Sequence, residues 1–146
     1  MEIETVLVPV DGSDEASAAV EYAVAVSDRY GADLHALHVF GEDVAARVDA
    51  GELTSEEVIA DSESFVATVR EAARDTGVAV SHSTAYGFSP RSLSVHPGSV
   101  ILDAAEDAGA DFLVVPREPV TGDPEAVLEK AAEYVIAHAS QPVLSV

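Results

Sequence analysis

Short apolar segments rich in β-branched residues alternate with longer segments of helical periodicity along this chain of 146 residues. The segment from Thr5 to Val10 is almost continuously apolar, which is typical of a strand buried on both faces of a parallel sheet. Similar strands are predicted at 34–40, 78–85, 112–115 and 142–146. Because strands and helices alternate throughout, we predict a single α/β domain over residues 1–146, with an open parallel sheet, right-handed crossovers and helices on both faces.

Residues that typically start and stop helices define the segments between the strands. Ser13 can cap the first helix, which ends before Gly31. The capping box at 54–57 (Thr-Ser-Glu-Glu) opens the second helix, while Ser99 and the sequence Asp123-Pro124-Glu125 open the third and fourth. The predicted helices are therefore 14–30, 54 to about 77, 100–108 and 124–139.

The chain carries a formal net charge of −20, because 27 Asp and Glu residues outnumber 7 Lys and Arg residues. Phosphate binding needs a basic face, so this charge argues against nucleic acid as a partner. Two interpretations of the acidity remain: an ordinary acidic bacterial protein, or a cytoplasmic protein of a halophile in which salt screens the repulsion. The scarcity of lysine, together with the many Ala and Val residues, favours the second.

Other functional classes are limited by what the sequence lacks. It has no cysteine, which excludes disulfides, a thiolate nucleophile and cysteine-bound metal. No apolar run is long enough to span a membrane, and residues 1–5 do not resemble a signal peptide. We therefore expect a cytoplasmic protein that does not insert into a membrane.

Three segments have a recognisable sequence: VLVPVDGS at 6–13, GADFLVV at 109–115 and PVLSV at 142–146. In their order and spacing they resemble the universal stress protein family over essentially the whole chain. The resemblance implies a Rossmann-like fold of the adenine nucleotide alpha hydrolase type, with sheet order 3-2-1-4-5. It also implies a homodimer that pairs through the C-terminal strand 142–146, an apolar edge strand that would in any case need covering.

Nucleotide-binding members of that family carry a glycine motif after the fourth strand: Gly-x-x-Gly, nine residues, then Gly followed by Ser or Thr. Glycines let the backbone approach phosphates, and the amides at the following helix N-terminus hold the anion. In this sequence the four motif positions fall on Pro116, Pro119, Glu129 and Lys130. The prolines lack amide donors, and a helix that starts at Asp123 would consume the amides near Glu129. We therefore predict that ATP binding of the family type is lost.

The resemblance also implies a nucleoside contact at the aspartate after the first strand and at the end of the second strand. The vestigial cofactor-binding positions are then Asp11, Gly12, Ser13, Val39, Val115 and Lys130. In the alternative interpretation, Asp11 and Ser13 only form the turn from strand to helix. The altered phosphate segment favours that alternative and leaves open a nucleoside ligand without phosphates.

The sequence gives no sign of a metal site or of catalysis. His35 and His38 belong to one predicted strand but face opposite sides of the sheet, so they cannot chelate one ion. No nucleophile elbow surrounds Ser13 or Ser140. The carboxylates are too abundant for any pair to be singled out as acid and base. We therefore expect neither a metal nor an enzymatic activity.

The loop predicted at 86–98 (YGFSPRSLSVHPG) is longer than the usual connection in that family. It adds the residues Phe88, Arg91, Leu93 and His96. The loop is either an irregular surface segment packed on a dimer partner or a recognition loop, since long loops on α/β scaffolds often carry binding.

Together these observations predict a non-catalytic, homodimeric universal stress protein of the type that does not bind ATP. It would act through contacts with an unidentified protein, in stress response or in regulating a transporter or enzyme. The alternative is an adenine-nucleotide-responsive switch that uses Asp11, Val39 and a rebuilt segment 116–123. A weak ATPase is a third hypothesis, for which the sequence supplies neither a base nor a metal site.

Overall fold

The computed structural model describes residues 2–11, 14–40, 42–86, 97–117 and 131–146. The strands in this part of the chain are β1 (Thr5–Val10), β2 (Asp33–Phe40), β3 (Val80–Tyr86), β4 (Phe112–Val115) and β5 (Val143–Ser145). The helices are α1 (Asp14–Tyr30), α2 (Glu42–Asp49), α3 (Ser55–Ala72), α4 (Pro97–Ala108) and α5 (Ala131–His138). Strands and helices alternate, except that α2 and α3 both lie between β2 and β3.

The five strands form one sheet in the order β3-β2-β1-β4-β5. All four pairings are parallel, which confirms the predicted topology. β1 is the central strand, and the chain turns to opposite sides of it to form β2 and β4. The carboxyl ends of β1 and β4 therefore border the switch point where ligands bind in sheets of this type.

The core lies on both faces of the central strand. Val6 and Val8 pack with buried residues of α1 and α3 on one face, while Leu7 packs with α4 and α5 on the other. All three side chains are 0% exposed. A strand buried on both faces has no polar side, which explains why its sequence is nearly continuously apolar.

Local signals place several helix ends where the sequence predicts them. The Thr54 hydroxyl accepts a hydrogen bond from the Glu57 amide at 3.1 Å, and the Glu57 carboxylate accepts one from the Thr54 amide at 3.4 Å. This capping box starts α3. Gly31 and Gly109 follow α1 and α4 with φ of +65° and +67°, a left-handed conformation that glycine adopts without a Cβ clash.

Several predicted boundaries differ from those of the structure. α3 ends at Ala72 rather than near Gly77, because residues 73–76 leave the helix through a tighter turn in which the Thr76 hydroxyl donates to the Ala73 carbonyl. β3 then begins at Val80 rather than Val78. β5 covers Val143–Ser145, although backbone hydrogen bonds continue its pairing to the predicted limits, Pro142 and Val146.

The helix after the predicted loop begins earlier than its sequence signals suggest. α4 starts at Pro97 instead of at Val100 after a capping Ser99, because proline fits the first position of a helix, where no amide bond is needed. Residues 97 and 98 of the predicted loop are therefore helical. The remainder of that loop, 87–96, and the helix start predicted at 123–125 lie outside the described residues.

α2 is a helix that the sequence analysis missed, since the segment after Phe40 was treated as a loop. It has eight residues, and its few apolar side chains give too short a stretch for helical periodicity to be recognised. Nearby, Arg47 forms an exposed ion pair with Glu52 at 3.7 Å.

Within the described parts of the chain, no helix is both long enough and apolar enough to cross a membrane.

Candidate functional site

The carboxyl edge of the sheet around β1 brings three of the predicted site residues together. Asp11 follows β1, Val39 precedes the last residue of β2, and Val115 ends β4. Because Val10 pairs with His38, the next residues along the two strands place Asp11 beside Val39. β4 lies on the other side of β1, so Val115 borders the same crevice. Three other predicted positions, Gly12, Ser13 and Lys130, lie outside the described residues.

The three residues are all buried, but their roles differ. Val39 and Val115 are 1% and 0% exposed and belong to the apolar cluster that packs against α4 and α5. Asp11 is only 8% exposed. A buried carboxylate is costly unless it is hydrogen-bonded or paired with charge, so Asp11 constrains what can lie beside it.

The chain just after β4 offers few backbone donors to an anion. Pro116 is buried and, as a proline, has no amide hydrogen. The next amide, that of Arg117, donates a hydrogen bond to the carbonyl oxygen of Val146 at 2.6 Å. Neither of the first two residues after β4 therefore presents a free amide to a phosphate. The other altered motif positions, Pro119, Glu129 and Lys130, lie in the part of the chain that is not described.

His38 is a neighbour of Asp11 that the sequence analysis considered only as a metal ligand. Its ring contacts Phe40 on the same strand and Phe65 of α3, with centroid distances of 4.4 and 5.3 Å. Burial lowers the pKa of His38, while the carboxylates of Asp11 and Asp61 act in the opposite direction. Its Nδ1 is buried without a hydrogen-bond partner among the described residues. The signal that could have found it is its register with Val10, directly before Asp11.

His35 lies on the opposite face of β2, as the sequence spacing predicts. Its Nδ1 and Nε2 form hydrogen bonds of 2.8 Å with the hydroxyl oxygens of Ser81 and Ser83 on β3. Burial lowers the pKa of His35, and the nearby His82 lowers it further. The two histidines are therefore separated by the sheet. In the described ranges, no group of three or more His, Asp or Glu side chains is placed to hold a metal ion.

The β5 side of the molecule carries apolar surface next to the outermost described strand of the sheet. β5 is the last strand of the sheet, and Leu144 and Val146 are only partly buried against the core. On the neighbouring helix α5, Ile136 is 57% exposed. Ile136 and Arg117 line a cavity of about 430 Å³ that reaches Ser145 on β5. An apolar edge strand with no outer partner among the described residues favours association with another chain.

Comparison with protein families gives a match over nearly the whole chain. Residues 2–146 match the model of the universal stress protein family. Among curated proteins, the universal stress protein MJ0531 of Methanocaldococcus jannaschii is 28% identical over 97% of this chain and 80% of its own length.

Solved structures resemble the whole chain in fold. The universal stress protein UspA from Lactobacillus plantarum is 25% identical, covers 100% of this chain and 99% of its own, and has a TM-score of 0.74. The universal stress protein from Archaeoglobus fulgidus, solved in complex with dAMP, is 19% identical. Its alignment covers 99% of this chain and 98% of its own, with a TM-score of 0.64. These likenesses support the sheet order and the alternation of elements described above.

Proposed function

The chain belongs to the universal stress protein family, and we propose that it is a non-catalytic member of the type that does not bind ATP. In this proposal it is a cytoplasmic homodimer that acts through contacts with another protein, in stress response or in regulating a transporter or enzyme. The observation that carries the proposal is the loss of backbone donors at the start of the phosphate segment, at Pro116 and Arg117.

The physical reason is that a phosphate site of this kind depends on several amides aimed at one point. At the first motif position, Pro116 has no amide hydrogen. At the second residue, the Arg117 amide is already bonded to Val146 at 2.6 Å. A phosphate that used the Arg117 amide would have to break that bond, and Pro116 would offer it no amide donor. The sequence adds Pro119 and Glu129 at two further motif positions, which withdraw another donor and add a negative charge.

The homodimer of this proposal pairs through β5, as the resemblance implies. Support comes from the partly buried Leu144 and Val146 on the outer strand and from the exposed Ile136 on the adjacent helix. Burying apolar surface stabilises an interface by about 25 cal/mol per Å² before the cost of association is subtracted. The pairing would also cover an edge strand that otherwise invites uncontrolled association.

A second candidate function is a switch that binds an adenine nucleoside or nucleotide through the base and ribose. The observation that favours it is the buried Asp11 beside Val39, at the crevice between the carboxyl ends of the strands. A structurally similar protein was solved with dAMP, a nucleotide with one phosphate. Such a ligand would depend less on the altered segment after β4 than ATP does.

Calorimetric titration with ATP, ADP, AMP and adenosine in molar KCl separates these two functions. We expect no saturable binding of ATP to the wild-type protein. Micromolar ATP binding that is abolished in Asp11→Asn but kept in Asp28→Asn would overturn the first proposal, because Asp28 is an exposed carboxylate on α1. Binding of AMP or adenosine without ATP, with the same dependence on Asp11, would support the switch instead.

A further inference from the structure

A groove of about 430 Å³ lies between α4 and the strands β2 and β3. We call it the α4–β3 groove, and its lining includes His35, Leu37, Ser83, Asp103, Ala104 and Asp107. Its volume is in the range of sites for small organic ligands. Asp11 and Val115 are not among its described lining residues, so it is separate from the crevice at the switch point.

The groove exists because β3 is the edge strand and is only partly covered on this face. Leu37 pairs with Ser83, and His35 pairs with Ser81, so β3 presents small hydroxyl side chains next to the larger residues of β2. On its other flank α4 is held against α5, since a Cβ atom at Gly98 would lie 2.5 Å from Tyr134 Cδ1. The described helical residues that line the groove all belong to α4.

One wall of the groove has hydrogen-bonding capacity without charge. Ser83 and Ser81 each form a 2.8 Å hydrogen bond with the ring of His35. Burial and the neighbouring His82 lower the pKa of His35, which favours a neutral imidazole at neutral pH. Whether Ser83 donates or accepts in its bond with His35, the Ser83 oxygen keeps a lone pair that can accept a hydrogen bond from a ligand.

The facing wall carries two carboxylates that lie one helical turn apart. Asp103 and Asp107 occupy exposed positions on α4 and line the groove. On a helix, residues at this spacing have Cβ atoms about 5–6 Å apart. No lysine or arginine is among the described lining residues, so these two negative charges are not balanced within that part of the groove. Apolar surface from the half-buried Ala85 and Ala104 also lines the groove.

We propose that the α4–β3 groove binds a short aliphatic diamine. The two ammonium groups pair with Asp103 and Asp107, the methylene chain lies on Ala85 and Ala104, and the Ser83 oxygen accepts a hydrogen bond from one ammonium. The charge of the groove disfavours an anion. A chelated metal ion would need a third ligand, and the described residues hold no such group.

The first test is calorimetry at low ionic strength with putrescine, and with butylamine as the matched ligand that has one ammonium. We expect saturable, one-to-one putrescine binding that is tighter than butylamine binding. Asp103→Asn and Asp107→Asn should each weaken putrescine binding about two- to fivefold, the range of exposed ion pairs. Absence of saturation up to about 10 mM putrescine would exclude even a dissociation constant of about 1 mM and would overturn the proposal.

Control variants must separate a site from the general attraction of an acidic protein for cations. The double variant Glu106→Gln/Glu21→Gln removes two exposed charges, one on α4 and one on α1, outside the described groove lining. We expect it to leave the binding nearly unchanged, whereas Asp103→Asn/Asp107→Asn should weaken it. Equal weakening in the two double variants would mean nonspecific attraction and would refute the diamine site.

A second pair of variants tests the serine wall. Ser83→Ala and Ser81→Ala each remove one hydroxyl partner of His35, but of these two serines only Ser83 is among the described groove residues. We expect Ser83→Ala to weaken putrescine binding at least twofold and Ser81→Ala to change it less. The reverse order would contradict the proposed role of Ser83, and folding of both variants is checked by thermal melting.

Discussion

The backbone amide of Arg117 donates a hydrogen bond to the carbonyl oxygen of Val146 at 2.6 Å, and the amide of Val146 donates to Val115 at 3.0 Å. These two bonds tie the chain that leaves β4 to the residue that follows β5. The start of the altered phosphate segment is therefore part of the β4–β5 ladder. The strand proposed to form the dimer is thus joined by backbone hydrogen bonds to the first residues after β4.

The first prediction concerns restoring glycine at the first motif position. Pro116→Gly should lower the free energy of unfolding by about 0.4–1 kcal/mol, because glycine adds conformational freedom to the unfolded chain. It should not create ATP binding, because the Arg117 amide remains bonded to Val146. Urea denaturation and calorimetry check both points. Micromolar ATP binding gained by this single substitution would contradict the prediction, and Pro142→Gly serves as the control for the stability effect.

The second prediction concerns the contact between α4 and α5. A Cβ atom added at Gly98 would lie 2.5 Å from Tyr134 Cδ1, so the Tyr134 side chain or one of the two helices must shift. Gly98→Ala should lower the free energy of unfolding by about 1–3 kcal/mol, the usual cost of overpacking. The measurement is chemical denaturation.

Gly77→Ala is the matched control for that substitution, since a Cβ atom at Gly77 meets nothing within 4 Å. It should be neutral or slightly stabilising. In a Tyr134→Ala background the cost of Gly98→Ala should shrink, because the obstructing ring is gone. An equal cost in both backgrounds would show that the ring contact is not the cause.

The sequence predicts the long, regular parts of the fold and misses one short helix and one helix start. The buried pattern of β1 and the capping box at Thr54 are local signals, and both led to correct elements. α2 is too short to show periodicity. The early start of α4 follows a local signal that the prediction did not use, a proline at the first helical position.

In the candidate site, too, some positions follow from the sequence pattern and others depend on how the elements pack. The position of Asp11 after a central strand is sufficient to place it at the carboxyl edge. The neighbouring His38 could have been found only from the register of β2 on β1. The α4–β3 groove joins residues of two strands to one flank of a helix, so its lining depends on how α4 lies over the sheet. Spacing along the chain does not determine that packing.

The third prediction concerns pH. Burial lowers the pKa of both His35 and His38 below the ordinary value of 6.5. In the unfolded chain these histidines bind protons at a higher pH than in the folded protein. Stability from these groups is therefore fully present above about pH 7 and falls as the pH drops through the ordinary histidine pKa. Urea denaturation between about pH 7.5 and pH 5.5 measures this slope.

Variants assign that slope to the two rings. His38→Phe should flatten the pH dependence in part, and a double variant that adds His35→Gln should flatten it further. Asp61→Asn should lower the pKa of His38 further, as followed by NMR titration, because Asp61 is one of the carboxylates that raise it. Stability that rises on acidification over this range would contradict the prediction.

The fourth prediction concerns the proposed dimer. Ile136→Asp places a charge on the exposed apolar surface of α5 beside β5, and it should weaken self-association about tenfold, as expected for a residue inside an interface. Ile59→Asp is the matched control, because Ile59 is 51% exposed on α3, compared with 57% for Ile136. Light scattering over a range of protein concentrations gives both dissociation constants.

Truncation of residues 142–146 tests the same pairing more severely. If the protein folds without β5, the truncated protein should be a monomer. A truncated protein that is well folded and still dimeric would exclude pairing through β5. Equal dimer affinity in Ile136→Asp and in wild type would place any dimer interface elsewhere on the surface.

The last prediction concerns salt. With 27 acidic and 7 basic residues the chain repels itself at low ionic strength. The screening length falls from about 30 Å at 0.01 M salt to about 3 Å at 1 M salt, so we expect the melting temperature to rise over a KCl series in this range. Glu56→Gln/Glu63→Gln removes two exposed charges from α3 and should reduce the rise, because less repulsion remains to be screened. A melting temperature that does not rise with KCl would contradict the interpretation of the acidity as adaptation to a salt-rich cytoplasm.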